Sequence, residues 1–325
     1  MRRLVGITAV SVLSLSFAVG LPGDARGRAA APVVNRVGGC PVFPADNVWH
    51  ADVSKLPVNA HSAAWVKAIG RGYFLHPDFG PSYHAQPVPY GIPVTTVTGS
   101  HRKVHVKFHY AHESDKVRYP LGHDTRIEGG RKAHGDRHAI VVDKATCTLY
   151  ETYATKKSNG HWHAGSGAVW ALDSDKLRHD GWTSADAAGL PILPGLLRWR
   201  EVKHGHVDHA IRFTAPVTSR HYIWPARHQA GSQNGLKYPP MGARFRLKAG
   251  FSEASYSHKA RVVLDAMKTY GLMLADNGSS WYFQGDASHG WHGKLISELK
   301  TIPAKAFEAV DESSLRQSKN SGAAR

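Results

Sequence analysis

The sequence predicts a mainly β fold, an antiparallel two-sheet sandwich of jelly-roll type with a few peripheral helices. Three observations carry this expectation. Alternating or continuously apolar runs outnumber helical ones. Gly, Pro and Asn turn signals separate them. No βαβ rhythm and no internal repeat runs through the 325 residues, which argues against a doubly wound sheet, a propeller or a β-helix.

The elements follow in order. CPVFPADNVWH, from Cys40, reads as an extended arm, because Pro44 blocks helix and ADN turns. Asn59 or Ser62 can cap a short helix that turns Trp65, Val66 and Ile69 inward and ends at Gly70. Residues 75–91, rich in Pro, Gly, Tyr and His, read as an irregular loop. Residues 93–110 read as two strands around Gly99–Ser100. HAIVVD, from His138, is almost continuously apolar, as a strand buried on both faces requires, and TCTLYETY returns beside it. Trp162 to Leu172 adds a strand interrupted by Gly-Ser-Gly. In GLPILPG, Pro191 and Pro194 hold the chain extended against a sheet, and Leu196 to Val202 can form two helical turns stopped by Gly205. VDHAIRF alternates, with His209, Ile211 and Phe213 inward and Asp208 and Arg212 outward. LMLAD and WYFQ, joined by Asn277–Gly278–Ser279–Ser280, read as a hairpin. Amphipathic helices are expected over 257–270 and 292–300.

The first 31 residues have the build of a secretory leader: Arg2 and Arg3, an apolar run from Leu4 to Val19, then small residues up to Ala31. The apolar run is too short to span a bilayer. The expected organisation is therefore a leader over 1–31, a single β-sandwich domain over 32–310 and a disordered polar tail over 311–325. Export and an even cysteine count predict a Cys40–Cys147 disulfide. The expected product is secreted or cell-wall associated, monomeric, and free of the membrane once the leader is removed.

Charge is the bulk property that leans toward function. The chain carries +16, and because residues 1–31 hold four Arg and one Asp, a chain starting at Pro32 would carry +13. Such a protein is drawn to acidic polymers: uronate polysaccharides, teichoic acids, nucleic acid or anionic membranes. Nucleic acid is not the expected partner, since no RNP signature, helix-turn-helix pattern or zinc-finger spacing accompanies the charge.

CPVFPADNVW, GDRHAIVVD, AGLPILPGLLRWREV with DHAIRF, WPARH, PPMGARFRLKA and YGLMLADNGSSW together resemble a family of uncharacterised secreted bacterial proteins. These motifs cover most of the chain in order. The resemblance implies a compact exported domain. It carries no assigned activity, so it transfers no catalytic residue.

Chemistry is read from the residues. The 22 histidines raise the question of a metal. His101, His105 and His109 share strand parity but stand about 13 Å apart in succession, too far to close on one ion. His161 and His163 form an isolated pair, and there is no HExxH. No metal and no cofactor are expected. A serine hydrolase is disfavoured for want of GxSxG. Glycan cleavage needs two carboxyl groups about 5–10 Å apart. Glu151, on the inward face of its strand, and Asp276, at a strand end beside Trp281, are the expected acid/base pair; Asp136, Asp143 and Glu201 are weaker. Arg212, Trp224, Arg227, His228 and Trp281 are the expected substrate contacts, combining cations with aromatic platforms. Arg244, Arg246 and Lys248 form a cationic row on one strand face. The sequence thus points to a secreted carbohydrate-active protein that cleaves an extracellular polysaccharide, acidic polymers included. A non-catalytic glycan- or wall-binding module and a polyuronate lyase are the alternatives.

Overall fold

The computed structural model describes residues 35–82, 88–130 and 132–325. The expected leader, and residues 83–87 of the expected 75–91 loop, lie outside the described residues. The first strands in chain order are β1 (Arg36–Val37), β2 (Cys40–Pro41), β3 (His76–Asp78), β4 (Val94–Val97) and β5 (Val106–Phe108). Then come β6 (Ala139–Asp143), β7 (Thr148–Thr152), β8 (Lys156–Ser158), β9 (His161–Ala164) and β10 (Gly167–Ala171). The last are β11 (Ile211–Ala215), β12 (Arg244–Leu247), β13 (Leu272–Asn277), β14 (Tyr282–Gln284) and β15 (Phe307–Ala309). Among the described residues four α-helices accompany them: α1 (Ser62–Ile69), α2 (Trp199–His204), α3 (His258–Thr269) and α4 (Gly293–Leu299). The fold is mainly β with few helices.

Helix ends fall where the sequence supplies caps. Gly70 and Gly205 end α1 and α2 in the left-handed conformation. The Ser257 hydroxyl accepts from the Ala260 N–H at the start of α3.

The sheets are mixed, which corrects the antiparallel expectation. A six-stranded sheet runs β15-β12-β13-β11-β14-β3, a four-stranded one β10-β7-β6-β4, and a three-stranded one β5-β9-β8. β11–β13, β14–β3, β4–β6 and β5–β9 pair in parallel. The physical reason is the length of the connections: α3 lies between β11 and β13, so the chain can cross over and return in the same direction.

Two expected hairpins also dissolve. β4 and β5 join different sheets, and β11 lies between β13 and β14. The Asn277–Gly278–Ser279–Ser280 turn crosses the end of β11 instead. There Thr214 Oγ1 donates to the Ser279 carbonyl at 2.8 Å, and the Gly278 N–H donates to the Ala215 carbonyl at 3.0 Å. Glycine is required by this approach, because a Cβ at 278 would stand 2.8 Å from Thr214 Oγ1.

β6 explains the layering. Ile140 and Val142 belong to the large apolar cluster shared with Ile211, Phe213, Phe245 and Leu274 of the six-stranded sheet. Val141 belongs to a second cluster with Tyr119, Tyr150 and Trp162. The four-stranded sheet is therefore covered on both faces, and its apolar run is the sequence trace of that position. Each of these side chains contributes about 1.5–3 kcal/mol by leaving water.

Cys40 and Cys147 form the expected disulfide, 107 residues apart, which stabilises the fold by about 4–5 kcal/mol in the chain-entropy model. Residues 33–325 form one compact unit. No helix among the described residues is long and apolar enough to cross a membrane.

Residues 311–325 are packed, not frayed. The Val48 N–H donates to the Gly322 carbonyl at 2.7 Å, and the Ala324 N–H donates to the Asp46 carbonyl at 2.7 Å. Glu312, Leu315 and Ala324 are buried. A polar composition suggested disorder, but this segment's polar groups find partners inside the fold, as buried groups must.

Candidate functional site: a carboxyl pair clamped by a buried arginine

The site starts from the loop Ser184–Gly189. The Ser184 hydroxyl donates to the carbonyls of Asp186 (2.9 Å) and Leu190 (2.6 Å). The Asp186 N–H donates back to that hydroxyl at 2.9 Å. Gly189 closes the loop at φ 68°, where a Cβ would collide with the Trp182 carbonyl oxygen. The result drives the Asp186 carboxylate into the protein, toward β11. Arg212 meets it there, donating from Nε at 2.8 Å and from Nη2 at 2.6 Å. This is a buried two-point clamp.

Asp276 stands beside the clamp. β13 pairs in parallel with β11 and slips register between Phe213 and Thr214, which places Asp276 opposite Thr214. Its Oδ2 lies 3.6 Å from Arg212 Nη2, the guanidinium that Asp186 also holds. Burial and the Asp186 charge push its proton affinity well above the carboxylate range; Arg212 and His138 offset this only in part. The burial of Asp276 beside the Arg212-bound Asp186 makes it the harder of the two to ionise, which is the sense of its shift.

His138 borders the pair. Its Nδ1 lies 2.7 Å from Glu128 Oε2, and its Nε2 lies 3.2 Å from the Ala185 carbonyl oxygen. Both ring nitrogens face acceptors, which selects the imidazolium. Burial alone would lower the His138 pKa, but the Glu128 charge and hydrogen bond raise it to about 9. Burial likewise works to raise the Glu128 carboxyl, yet His138 holds it below its ordinary value.

Two cavities open onto this cluster and share Asp136, Asp276 and Asn277 as walls. One, of about 390 Å³, is also lined by Tyr110, Glu113, Tyr153, Asp186 and His228. The other, of about 270 Å³, is lined by Glu128, His138 and Arg212. Asp136 is exposed and reaches both. Asp136 and Asp276 both raise the Tyr153 hydroxyl by their charge, after the larger effect of burial, so all three face the same space. A carboxyl group of raised proton affinity and an exposed aspartate in the walls of one cavity are groups that general acid/base chemistry can use.

A larger cavity, of about 790 Å³, lies elsewhere, walled by Trp65, Tyr222, Trp224, Arg227 and Glu312. Its buried carboxyl, Glu312, is paired with Arg244 at 3.0 Å. The carboxyl groups Asp136, Asp186 and Asp276 and the His138 imidazole gather at the smaller pair of cavities.

The expected site residues separate accordingly. Asp276 is in the cleft. Glu151 is not: it is wholly buried and accepts from the Ile192 N–H (2.8 Å to Oε2) and the Leu193 N–H (2.8 Å to Oε1). Burial raises it to about 7, against those two donors. GLPILPG explains the arrangement, since its prolines lack N–H groups and the donors between them need an interior acceptor. Glu151 staples that loop and has no path to substrate. Arg212 lines the cleft, but from a buried position rather than on the outward face its strand parity suggested.

Trp224 and Arg227 line the larger cavity. Arg227 is 3% exposed and donates to the carbonyls of Arg178 (2.8 Å) and Lys319 (2.8 Å), pinning the C-terminal segment. His228 lines the Asp276 cavity, with Nδ1 2.8 Å from the Ala187 carbonyl. Trp281 is no contact for substrate: it is 0% exposed and stacked on Phe213 at 5.4 Å.

Among the weaker candidates, Asp143 pairs with Lys103 at 3.1 Å, and Glu201 is enclosed by Arg198 and His209. In the row of Arg244, Arg246 and Lys248, Arg244 pairs with the buried Glu312 and Arg246 with Glu308, while the exposed Lys248 donates to the Lys305 carbonyl at the surface. Asp186, Glu128 and His138 escaped the sequence reading. The small-residue loop SADAAG is the signal that could have found Asp186. Among the described residues, no group of three or more His, Cys, Asp or Glu side chains is arranged to hold a metal ion. Compared with known proteins, the chain matches no family model, no curated protein and no solved structure.

Proposed function

We propose that this protein is a secreted enzyme that cleaves an extracellular polysaccharide by carboxyl acid/base chemistry, on a sandwich-like scaffold whose leaves are the six- and four-stranded sheets. One observation carries the reading: Asp276, buried next to an arginine-clamped Asp186 that works to raise its proton affinity, lines a cavity that the exposed Asp136 also lines. Asp276 Oδ gives its proton to the glycosidic oxygen as the bond from the anomeric carbon to that oxygen breaks. Asp136 takes a proton from water as the water oxygen bonds to the anomeric carbon. Asp276 then recovers its proton from solvent, and Asp136 returns its own. Asp136 replaces Glu151 in this scheme because it reaches the cavity. The disulfide and the leader-like N-terminus support an exported, oxidising setting.

A binding-module reading keeps one observation in its favour, the larger cavity with Trp65, Tyr222 and Trp224 in its walls. A panel of plant and bacterial polysaccharides, followed for new reducing ends and for unsaturated products, separates the readings. Reducing ends lost in Asp276→Asn and Asp136→Asn, with melting unchanged, support the hydrolase. Unsaturated products would indicate a lyase, and retention without cleavage a binding module.

A further inference from the structure

We infer that the groove beside the Asp276 cavity is an anion-binding subsite, and that the polymer cleaved carries a carboxylate or phosphate on the residue next to the scissile bond. The inference deepens the hydrolase reading and rests on it for the word "cleaved".

The groove is built by the three-stranded sheet. Lys107 of β5 pairs in register with His163 of β9, and Lys156 of β8 pairs with His163 from the other side. Residues paired in register point to the same face of a sheet. Lys107, His163 and Lys156 therefore form a row across three strands, and all three line one groove of about 410 Å³.

Among the described residues, none of the three has a carboxylate partner. That contrasts with Arg244, Arg246 and Arg212, which are all paired inside the fold. Lys107 and Lys156 thus place two cations on one face of the sheet, on either side of His163, and an anion in the groove is attracted to both.

The groove is continuous with the acid site. Tyr110 and Tyr153 wall both the groove and the Asp276 cavity. The cavity itself is walled by Glu113 and the exposed Asp136, so a substrate anion is disfavoured there. The Lys107–His163–Lys156 row is the adjoining place where that anion is stabilised. A polymer crossing the two tyrosines puts its anionic group on the basic row and its neutral linkage at Asp276.

The test uses the full chain as Asp276→Asn, which binds without cleaving. Its affinity is measured by titration calorimetry at low and high salt for polygalacturonate, its carboxyl-reduced counterpart and a glycerol-phosphate teichoic acid. At least tenfold tighter binding of a charged polymer over the neutral one is expected, with the preference lost in Asp276→Asn/Lys107→Ala/Lys156→Ala and at high salt. The two charged polymers tell a carboxylate source from a phosphate source. Equal binding of charged and neutral polymers, or a preference that survives the lysine replacements, overturns the subsite. With the lysine pair replaced in an otherwise wild-type chain, KM should rise at least fivefold while kcat holds. Charge-dependent binding without cleavage of any polymer sinks the hydrolase reading and leaves the subsite standing; cleavage without charge preference does the reverse.

Discussion

Arg212 meets Asp186 with both Nε and Nη2, at 2.8 and 2.6 Å, and stands 3.6 Å from Asp276. The same guanidinium thus binds one carboxylate at two points and its neighbour only at a distance, while burial and the Asp186 charge raise the proton affinity of Asp276. The two residues should fail in different ways. Asp186→Asn leaves a buried arginine without its counter-ion and should cost about 3–5 kcal/mol of stability. Asp276→Asn removes a proton donor without creating an unpaired charge. It should hold stability within about 1 kcal/mol while lowering cleavage at least about 100-fold. Denaturant melts with polysaccharide assays on both variants check this. Equal loss of stability in the two would refute the division of roles.

The pH dependence of stability follows from His138. Its folded pKa, about 9, lies above the unfolded value of 6.5, so the imidazolium's contribution is fully present below pH 6.5 and is lost as pH rises through about 9. The groups facing it are Glu128, Asp136 and Arg212. The shift corresponds to roughly 3 kcal/mol. Glu151 and Glu312, both raised to about 7 by burial, act in the same direction at lower pH. Wild-type Tm should therefore fall from about pH 5 to 9. His138→Gln should flatten the upper part of that slope, between pH 6.5 and 9. Parallel Tm–pH curves for the two proteins would contradict the imidazolium assignment.

How far the sequence revealed this site depends on the kind of signal each residue gave. The run Ala139–Asp143 announced a strand covered on both faces, because its period and composition have one good solution. Asp276 was legible as a carboxylate at a strand end. Arg212 was misread because parity assigns a face, and both faces of β11 turned out to be covered. Glu151 was found to be buried, but burial was taken for chemistry when its partners are two backbone N–H groups 41 and 42 residues away. Asp186 and His138 meet only in the tertiary fold. No spacing rule links residues 138, 186, 212 and 276.

Glu151 gives a sharp comparison with Asp276. Glu151→Gln keeps the volume but exchanges one acceptor oxygen for an amide that must itself donate, facing the N–H groups of Ile192 and Leu193. A loss of about 1–3 kcal/mol is expected, the cost of unsatisfied buried polar groups, with kcat unchanged at temperatures where the variant is folded. Urea denaturation beside steady-state assays measures both. A collapse of kcat at full stability would return Glu151 to the catalytic machinery and remove the stapling role.

The C-terminal segment carries the counter-ion of a fully buried arginine. Arg244, 0% exposed, donates to the carbonyls of Tyr270 (2.6 Å) and Val48 (2.9 Å), and its counter-ion is Glu312 at 3.0 Å. Deleting residues 311–325 removes that counter-ion together with the backbone bonds of Gly322 and Ala324. The arginine has nowhere to go, because β12 lies between β13 and β15 in the sheet. Truncation should therefore cost at least about 3–5 kcal/mol, well beyond the loss of a frayed tail. Glu312→Gln isolates the charge and should account for a large part of it. The double change Arg244→Met with Glu312→Leu removes both charges, and burying apolar groups in their place should recover most of the Glu312→Gln loss. Chemical denaturation of the four proteins measures the coupling. Near-additive losses in the double variant would show that the segment is held by its backbone bonds and not by the Arg244–Glu312 pair.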